Sequence, residues 1–343
     1  MKRFYLVILA VLLVIAVYFY FSNNASTLNR EFSDFAIQDT SQITKIFIAD
    51  DKGNTALLEK QNDRSWKVNG RFKARQDGIN VLMKTFKRID VREPVPKSAL
   101  NTVIRELAVK STKVEIYTGD AKPEKVYYVG HATKSHYGTN MLLEINGEKS
   151  TVPYVTHVPG FFGYLSTRFF TDEDLWRHRG IFEFEPDAIA SIEVRYLEKP
   201  ENSFILTRNV DDSFVLEVIG SKEKTQSLNA NAVDSYLDIY SSVHFEFVDR
   251  ETPLESIDSV QQTPPLHTFI VTNTDGEKVT LETFYKPITD GTINELTGEP
   301  YEYNIDRLYG WINREDFVIM QWPTVDQLMA YPQDFQMSEN VEN

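Results

Sequence analysis

The chain has 343 residues, 42% of them hydrophobic and 25% charged, a composition that specifies a folded protein with room for two or three domains. Its 50 acidic residues outweigh 36 basic ones for a net charge of −14, which repels a phosphate backbone, so no nucleic-acid partner is expected. The lack of cysteine excludes disulfides, thiolate metal sites, cysteine catalysis and an acylated lipobox cysteine.

The charge is divided along the chain. Residues 1–170 carry 24 basic and 16 acidic side chains, whereas residues 171–343 carry 12 and 34. At the N-terminus, Lys2 and Arg3 precede Phe4 to Phe21, eighteen residues whose only polar groups are tyrosine phenols. That run is long enough to span a bilayer as a helix, and the flanking positive charge predicts N-in, C-out topology. A cleaved signal peptide is the competing reading. Bulky Tyr18-Phe19-Tyr20-Phe21 and the poor cut site after Asn23-Asn24-Ala25 favour an uncleaved anchor over residues 1–25. The expected location is the bacterial inner membrane with the body in the periplasm, and residues 26–40 read as a linker.

From Ile43 three short strand-like runs follow (Ile43–Ile48, Thr55–Glu59, Ser65–Val68). An amphipathic helix comes next, with Ile79, Leu82, Met83 and Phe86 on one face. The same grammar returns from Ile189: runs at Ile189–Val194, Ser203–Leu206 and Ser213–Leu216, then a helix with Val233, Tyr236, Leu237 and Tyr240 at the same four offsets. The later halves also match, Val114-Glu115-Ile116-Tyr117 with Phe269-Ile270-Val271-Thr272. Each unit is expected to close on an aromatic-glycine turn, Phe161–Leu165 and Leu308–Ile312. This order predicts a duplicated α+β fold, a transmembrane helix followed by two homologous units (41–170 and 186–321) of mainly antiparallel sheet, each with one covering helix. Residues 171–185, with the capping signature Thr171-Asp172-Glu173-Asp174 ahead of Leu175-Trp176, read as a packed connector, and residues 322–343 as a polar tail.

Several motifs together resemble a bacterial envelope family of Bacteroidota type, known as domain of unknown function 4340. They are the N-terminal anchor, Phe35-Ala36-Ile37, Trp66-Lys67-Val68-Asn69-Gly70, Pro94-Val95-Pro96-Lys97, Tyr128-Val129-Gly130, Gly138-Thr139-Asn140-Met141, and Pro159-Gly160-Phe161 through Phe169-Phe170-Thr171-Asp172-Glu173. The resemblance spans most of the chain. It implies an accessory role beside gliding-type ABC transporters and carries no catalytic residues.

No Gly-x-Ser-x-Gly elbow, dinucleotide fingerprint or Walker sequence is present, so neither an enzyme nor a cofactor is expected. His131, His136 and His157 fall close in sequence but fit no zinc-ligand spacing. The loop holding His131, Thr133, His136 and Thr139 has the donors of an anion site but lacks the spacing of a P-loop, and a plain hairpin connection is the favoured reading. Phe161, Tyr164, Tyr309 and Trp311 form a candidate surface for a glycan or apolar group, against the alternative that they plug their own sheets. Eleven basic residues between positions 60 and 97, among them Lys84, Lys87 and Arg88, are candidates to face an anionic leaflet. The leading functional expectation is a membrane-tethered adaptor in an envelope transport or export complex, with a periplasmic binding module for a lipid, glycan or peptide as the alternative.

Overall fold

A computed structural model describes residues 30–221, 224–288, 291–294 and 297–337 as an α+β chain that divides after His178 into two units. The expected anchor at 4–21, with its cleaved alternative, lies outside the described residues. Among the described residues no helix is long and apolar enough to cross a membrane.

In the first unit the strands are β1 (Lys45–Ala49), β2 (Thr55–Lys60), β3 (Trp66–Val68), β4 (Phe72–Lys73), β5 (Asp90–Pro94), β6 (Thr112–Tyr117), β7 (Lys125–Ala132), β8 (Thr139–Ile145), β9 (Glu148–Lys149) and β10 (Tyr154–His157). They form one antiparallel sheet in the order β4-β3-β2-β1-β6-β7-β8-β10-β5, with β9 on β8. Alternation along each strand gives the sheet two apolar faces. One carries Ile46, Ile48, Val114, Ile116, Tyr127 and Leu143 against helix α1 (Gln76–Arg88), which buries Ile79, Leu82 and Phe86 as its 3.6-residue period requires. The other carries Leu142 and Val155 against Val103 and Leu107 of helix α2 (Lys97–Lys110).

The second unit has β11 (Gly180–Phe182), β12 (Ile189–Tyr196), β13 (Phe204–Arg208), β14 (Phe214–Val218), β15 (Lys224–Thr225), β16 (Val243–His244), β17 (Phe247–Val248), β18 (His267–Asn273), β19 (Lys278–Pro287), β20 (Tyr303–Ile312) and β21 (Asp316–Gln321). Its main sheet runs β15-β14-β13-β12-β18-β19-β20-β21-β17, the first unit's order strand for strand, and β11 pairs with β16. Helix α3 (Ala230–Ile239) covers the face corresponding to that under α1, through Val233, Tyr236 and Leu237, and helix α4 (Leu254–Gln261) covers the other through Ile257.

The likeness extends to single contacts. Ile37 N donates to Phe86 O at 2.8 Å and Phe184 N to Tyr240 O at 3.0 Å; Arg75 N donates to Trp176 O at 2.8 Å and Asn229 N to Phe335 O at 2.8 Å. The bridges Ala74–Arg177 and Leu228–Gln336 sit beside those bonds.

Four expectations are corrected. Each unit has two covering helices rather than one. Phe35 and Ile37, expected in a linker, are buried in the first core, and Val325, Leu328 and Phe335, expected in a tail, are buried in the second. The connector is shared out: Asp172 caps the short helix Glu173–Trp176 by accepting from Asp174 N, Trp176 enters the first core, and β11 belongs to the second unit. Finally, the aromatic-glycine segments are not equivalent turns. Leu308–Ile312 lies inside β20, where a Cβ on Gly310 would meet Met320 Cγ at 2.8 Å, so that glycine serves close packing and not a turn. The closing elements are instead the helical turns Glu173–Trp176 and Pro332–Phe335, each delivering one aromatic to its core.

Lys125 ties the chain's first described segment to the first unit. It is buried, and its Nζ donates to Asp34 O and Ala36 O at 2.6 Å each, with the Asp34 carboxylate at 3.3 Å. Replacing it by methionine keeps the stem but strips the two carbonyls of a charged donor. Lys125→Met is therefore expected to cost about 2–3 kcal/mol, read as a lower denaturation midpoint and faster amide exchange at residues 34–37. Unchanged exchange there would refute the tie.

Candidate functional site

The structure joins two of the expected sites in the first unit. The β7–β8 turn brings His136 to 6.0 Å from Tyr164 and Tyr137 to 6.2 Å from Phe162, ring centroid to centroid. The loop is a hairpin connection held by Thr133 N to Gly138 O, and Thr139 is a buried packing residue: its hydroxyl accepts from Leu165 N at 2.7 Å. Thr133 shares its hydroxyl with Ser135 at 3.1 Å. His131 is exposed on β7 and His157 lies on β10, and with His136 they do not converge as a ligand set among the described residues. Lys84, Lys87 and Arg88 are all exposed on the last turns of α1, and Arg88 Nη2 donates to Pro159 O at 2.7 Å, next to the aromatic turn.

The other half of the aromatic pair behaves differently. Tyr309 is buried with Phe317 and Ile319 beneath α4, and Trp311 packs near Phe284 with Arg314 over its ring. They plug their own sheet face, which corrects their reading as a surface shared with Phe161 and Tyr164. Asp50 and Asp211 are turn-formers. Asp50 accepts from Lys52 N and Asn54 N, and Asp211 from Ser213 N, and these bonds hold both acids below the usual carboxylate range.

A site that motif reading missed lies in the second unit, where β12, β18 and β19 end together below Trp322. A cavity of about 230 Å³ is lined there by Tyr196, Glu198, Lys199, Leu266, His267, Tyr285, Trp322, Met329 and Tyr331. Leu266 and Tyr285 also line a second hollow of about 320 Å³ that reaches Leu197, Pro287 and Tyr303. The walls are fixed. Tyr285 stacks on Tyr303 at 4.3 Å, Tyr196 stacks on Tyr331 at 5.6 Å, and the Tyr196 hydroxyl both donates to Ala330 O and accepts from Ala330 N. Trp322 Nε1 donates to Asn304 O at 3.1 Å.

Polar groups converge on this aromatic frame. The Tyr285 hydroxyl donates to Glu198 at 2.8 Å, and burial together with that carboxylate pushes its pKa up to about 12. His267 Nδ1 lies 2.9 Å from Thr283 Oγ1, and burial lowers the ring's pKa to about 4, so it is neutral at physiological pH. Aromatic walls with one acid, one exposed lysine and fixed hydroxyls suit recognition of a ligand or partner side chain with both apolar and hydrogen-bonding surface.

The first unit serves as an internal control. Ile48 pairs with Ala56 and Val114 as Val194 pairs with Phe204 and Phe269, which aligns the two sheets. Counting along the strands from these pairs, Tyr196, His267, Tyr285 and Trp322 correspond to Asp50, Thr112, His131 and Val158. The aromatic cleft is therefore particular to the second unit, although Tyr196 also belongs to that unit's core. Comparison of the chain with family models, curated proteins and solved structures finds no match.

Proposed function

We propose that the chain is a non-catalytic accessory protein of a cell-envelope transport or export complex, held at the inner membrane by residues 4–21 with its body in the periplasm, and that the second unit's aromatic cleft is its recognition surface. The observation that carries this reading is the contrast between equivalent positions: Tyr196, His267, Tyr285 and Trp322 in one unit stand where the other has Asp50, Thr112, His131 and Val158. Packing alone would give both sheets similar ends, because equivalent positions on equivalent scaffolds meet similar demands. The shared strand order and the paired closing contacts support descent of both units from one ancestor. The resemblance to domain of unknown function 4340 is consistent with the same role.

Copurification from detergent-solubilised membranes tests it. The full chain is expected to retain a stoichiometric membrane protein, and the Tyr285→Ala/Trp322→Ala variant to lose it at least tenfold while keeping its far-UV circular dichroism. A partner retained undiminished by the variant would remove the cleft from the interface.

The aromatic lining of the cleft favours a second reading, a periplasmic binding module for a lipid, glycan or peptide, since 230 Å³ with Glu198 and Lys199 at its edge accommodates a small polar group stacked on a ring. Native mass spectrometry separates the two. A monomer carrying a bound small molecule, lost in the same double variant, would put this reading first.

A further inference from the structure

The first unit carries an exposed aromatic tip. Phe162 is 86% exposed, Tyr137 51% and Phe161 40%, and the first two meet edge to face across the β7–β8 turn and the 159–164 turn. The second turn is shaped by Gly160 at φ +79° and Gly163 at φ +152°, so the rings are presented by a defined backbone. Arg168 ties the base of the tip to α1: its guanidinium lies 4.2 Å from the Phe161 ring centroid and donates to Thr85 Oγ1 at 2.6 Å. Arg88 fixes the other side through Pro159 O. Three large rings held in water at one tip mark a surface with an apolar destination.

The charge around the tip selects that destination. The two turns lie in stretches 125–143 and 149–171, neither of which contains an Asp or Glu, and the neighbouring α1 terminus adds exposed Lys84, Lys87 and Arg88, against exposed Asp90 and Glu93 on β5, which pairs with β10. Aromatic rings at a tip with cations behind them match the bilayer interface, where rings sit at headgroup level and basic groups meet anionic phosphates. A docking protein with an acidic surface would meet the same cations. Phe162 would then need a fitted pocket, whereas a bilayer accepts a protruding ring of any shape.

We infer that Phe161, Phe162 and Tyr137 form an interfacial insertion tip through which the first unit rests on an anionic bilayer surface, with Lys84, Lys87 and Arg88 facing the headgroups. This rests on the tethered reading above and adds a second point of membrane contact to it. The eight residues between Phe21 and Arg30 reach at most about 28 Å when fully extended, so a tethered first unit stays within one domain diameter of the bilayer.

The absence of native cysteine makes the test direct. Single-cysteine variants Phe162→Cys and Tyr137→Cys of the full chain are labelled with an environment-sensitive fluorophore and reconstituted into vesicles of phosphatidylethanolamine and phosphatidylglycerol. Val210→Cys, at a fully exposed turn of the second unit, is the reference. The labels at 162 and 137 are expected to shift to the blue and to be quenched by nitroxide lipids several-fold more than the label at 210. Lys84→Glu/Lys87→Glu and phosphatidylcholine vesicles should both cut that difference. Labels at 162 and 137 no more lipid-quenched than the one at 210, on a chain that floats with the vesicles, would overturn the tip and leave the tether standing. Release of the chain by high salt together with its lipid quenching would instead overturn the tether and keep the tip.

Discussion

Truncation of Trp176 to alanine is expected to destabilise the first unit by about 3–5 kcal/mol, the range for removing a fully buried aromatic. The side chain is 1% exposed, stacks on Phe170 at 4.1 Å and donates from Nε1 to Phe170 O at 2.9 Å. It also lies against α1 at Gly78, where a Cβ would meet the indole at 3.2 Å, so the ring fills a slot that the helix leaves open for it. Alanine would leave a cavity between α1 and the closing turn and an unpaired carbonyl at Phe170. Neither neighbour can collapse into the gap, because Arg75 N holds the backbone of residue 176 in place. With two units, unfolding is not a single two-state event, so the loss should be read locally. Amide exchange by mass spectrometry should accelerate across residues 35–178 and remain unchanged across 179–337. Unchanged exchange in the first unit would show that the closing turn contributes little to its core.

The same residue illustrates how much of the fold the sequence reveals. The faces of α1 and α3 were legible because large apolar side chains recur at helical spacing, Ile79 with Leu82 and Phe86, Val233 with Tyr236 and Leu237. Helices α2 and α4 were not, because each touches its sheet through few apolar side chains, Val103 and Leu107 in one and Ile257 in the other. The units' true ends were missed for a related reason. Trp176 and Phe335 occur as single aromatics in polar surroundings, while Tyr309-Gly310-Trp311 has the look of a turn. Periodicity cannot tell a glycine that bends a chain from one that admits Met320 to a packed face.

The cleft was illegible for a different reason. Its aromatic walls are scattered from position 196 to position 331, and none belongs to a motif. Only the pairing of β12 with β18 and of β18 with β19 brings Tyr196, His267 and Tyr285 to one sheet end, and the chain after β21 adds Trp322 and Tyr331. A signal was nonetheless present in the repeat itself. Aligning the halves through Ile48 and Val194 sets Tyr196 against Asp50 and His267 against Thr112, and such substitutions in an otherwise parallel pattern mark where the second unit departs from its scaffold. The tip is more local. Phe161-Phe162 was visible as an aromatic pair, but its meeting with Tyr137 needs the β7–β8 turn to fold beside it.

Burial of His267 gives the second unit a pH dependence of its own. Its pKa is ordinarily 6.5 and is held at about 4 in the fold, mainly by burial, with Glu198 opposing the shift. The folded pKa is the lower one, so as pH falls below 6.5 the unfolded chain takes up the proton first and stability declines. The decline ends near pH 4, where the folded ring is protonated as well, and above pH 6.5 the ring adds no slope. Between pH 7.5 and 4.5 this amounts to about 2–3 kcal/mol at about 1.4 kcal/mol per pH unit. Carboxylates held low by their own hydrogen bonds, such as Glu246 beside Arg307, add a loss at the acid end of the same range. Urea midpoints at both pH values, compared between the native chain and His267→Gln, separate the contributions, because the variant keeps the carboxylates and lacks the buried imidazole. The variant is expected to lose about 2–3 kcal/mol less than the native chain on acidification. An equal loss in both would mean that the ring is hydrated or already charged in the folded state. The same neutrality bears on the cleft. Since His267 carries no charge from pH 5 upward, partner retention that depends on Tyr285 and Trp322 should be flat between pH 5.5 and 8. A retention that rises steeply as the pH approaches 6 would instead require a charged imidazole at the cleft, which the buried contact of the ring with Thr283 does not provide.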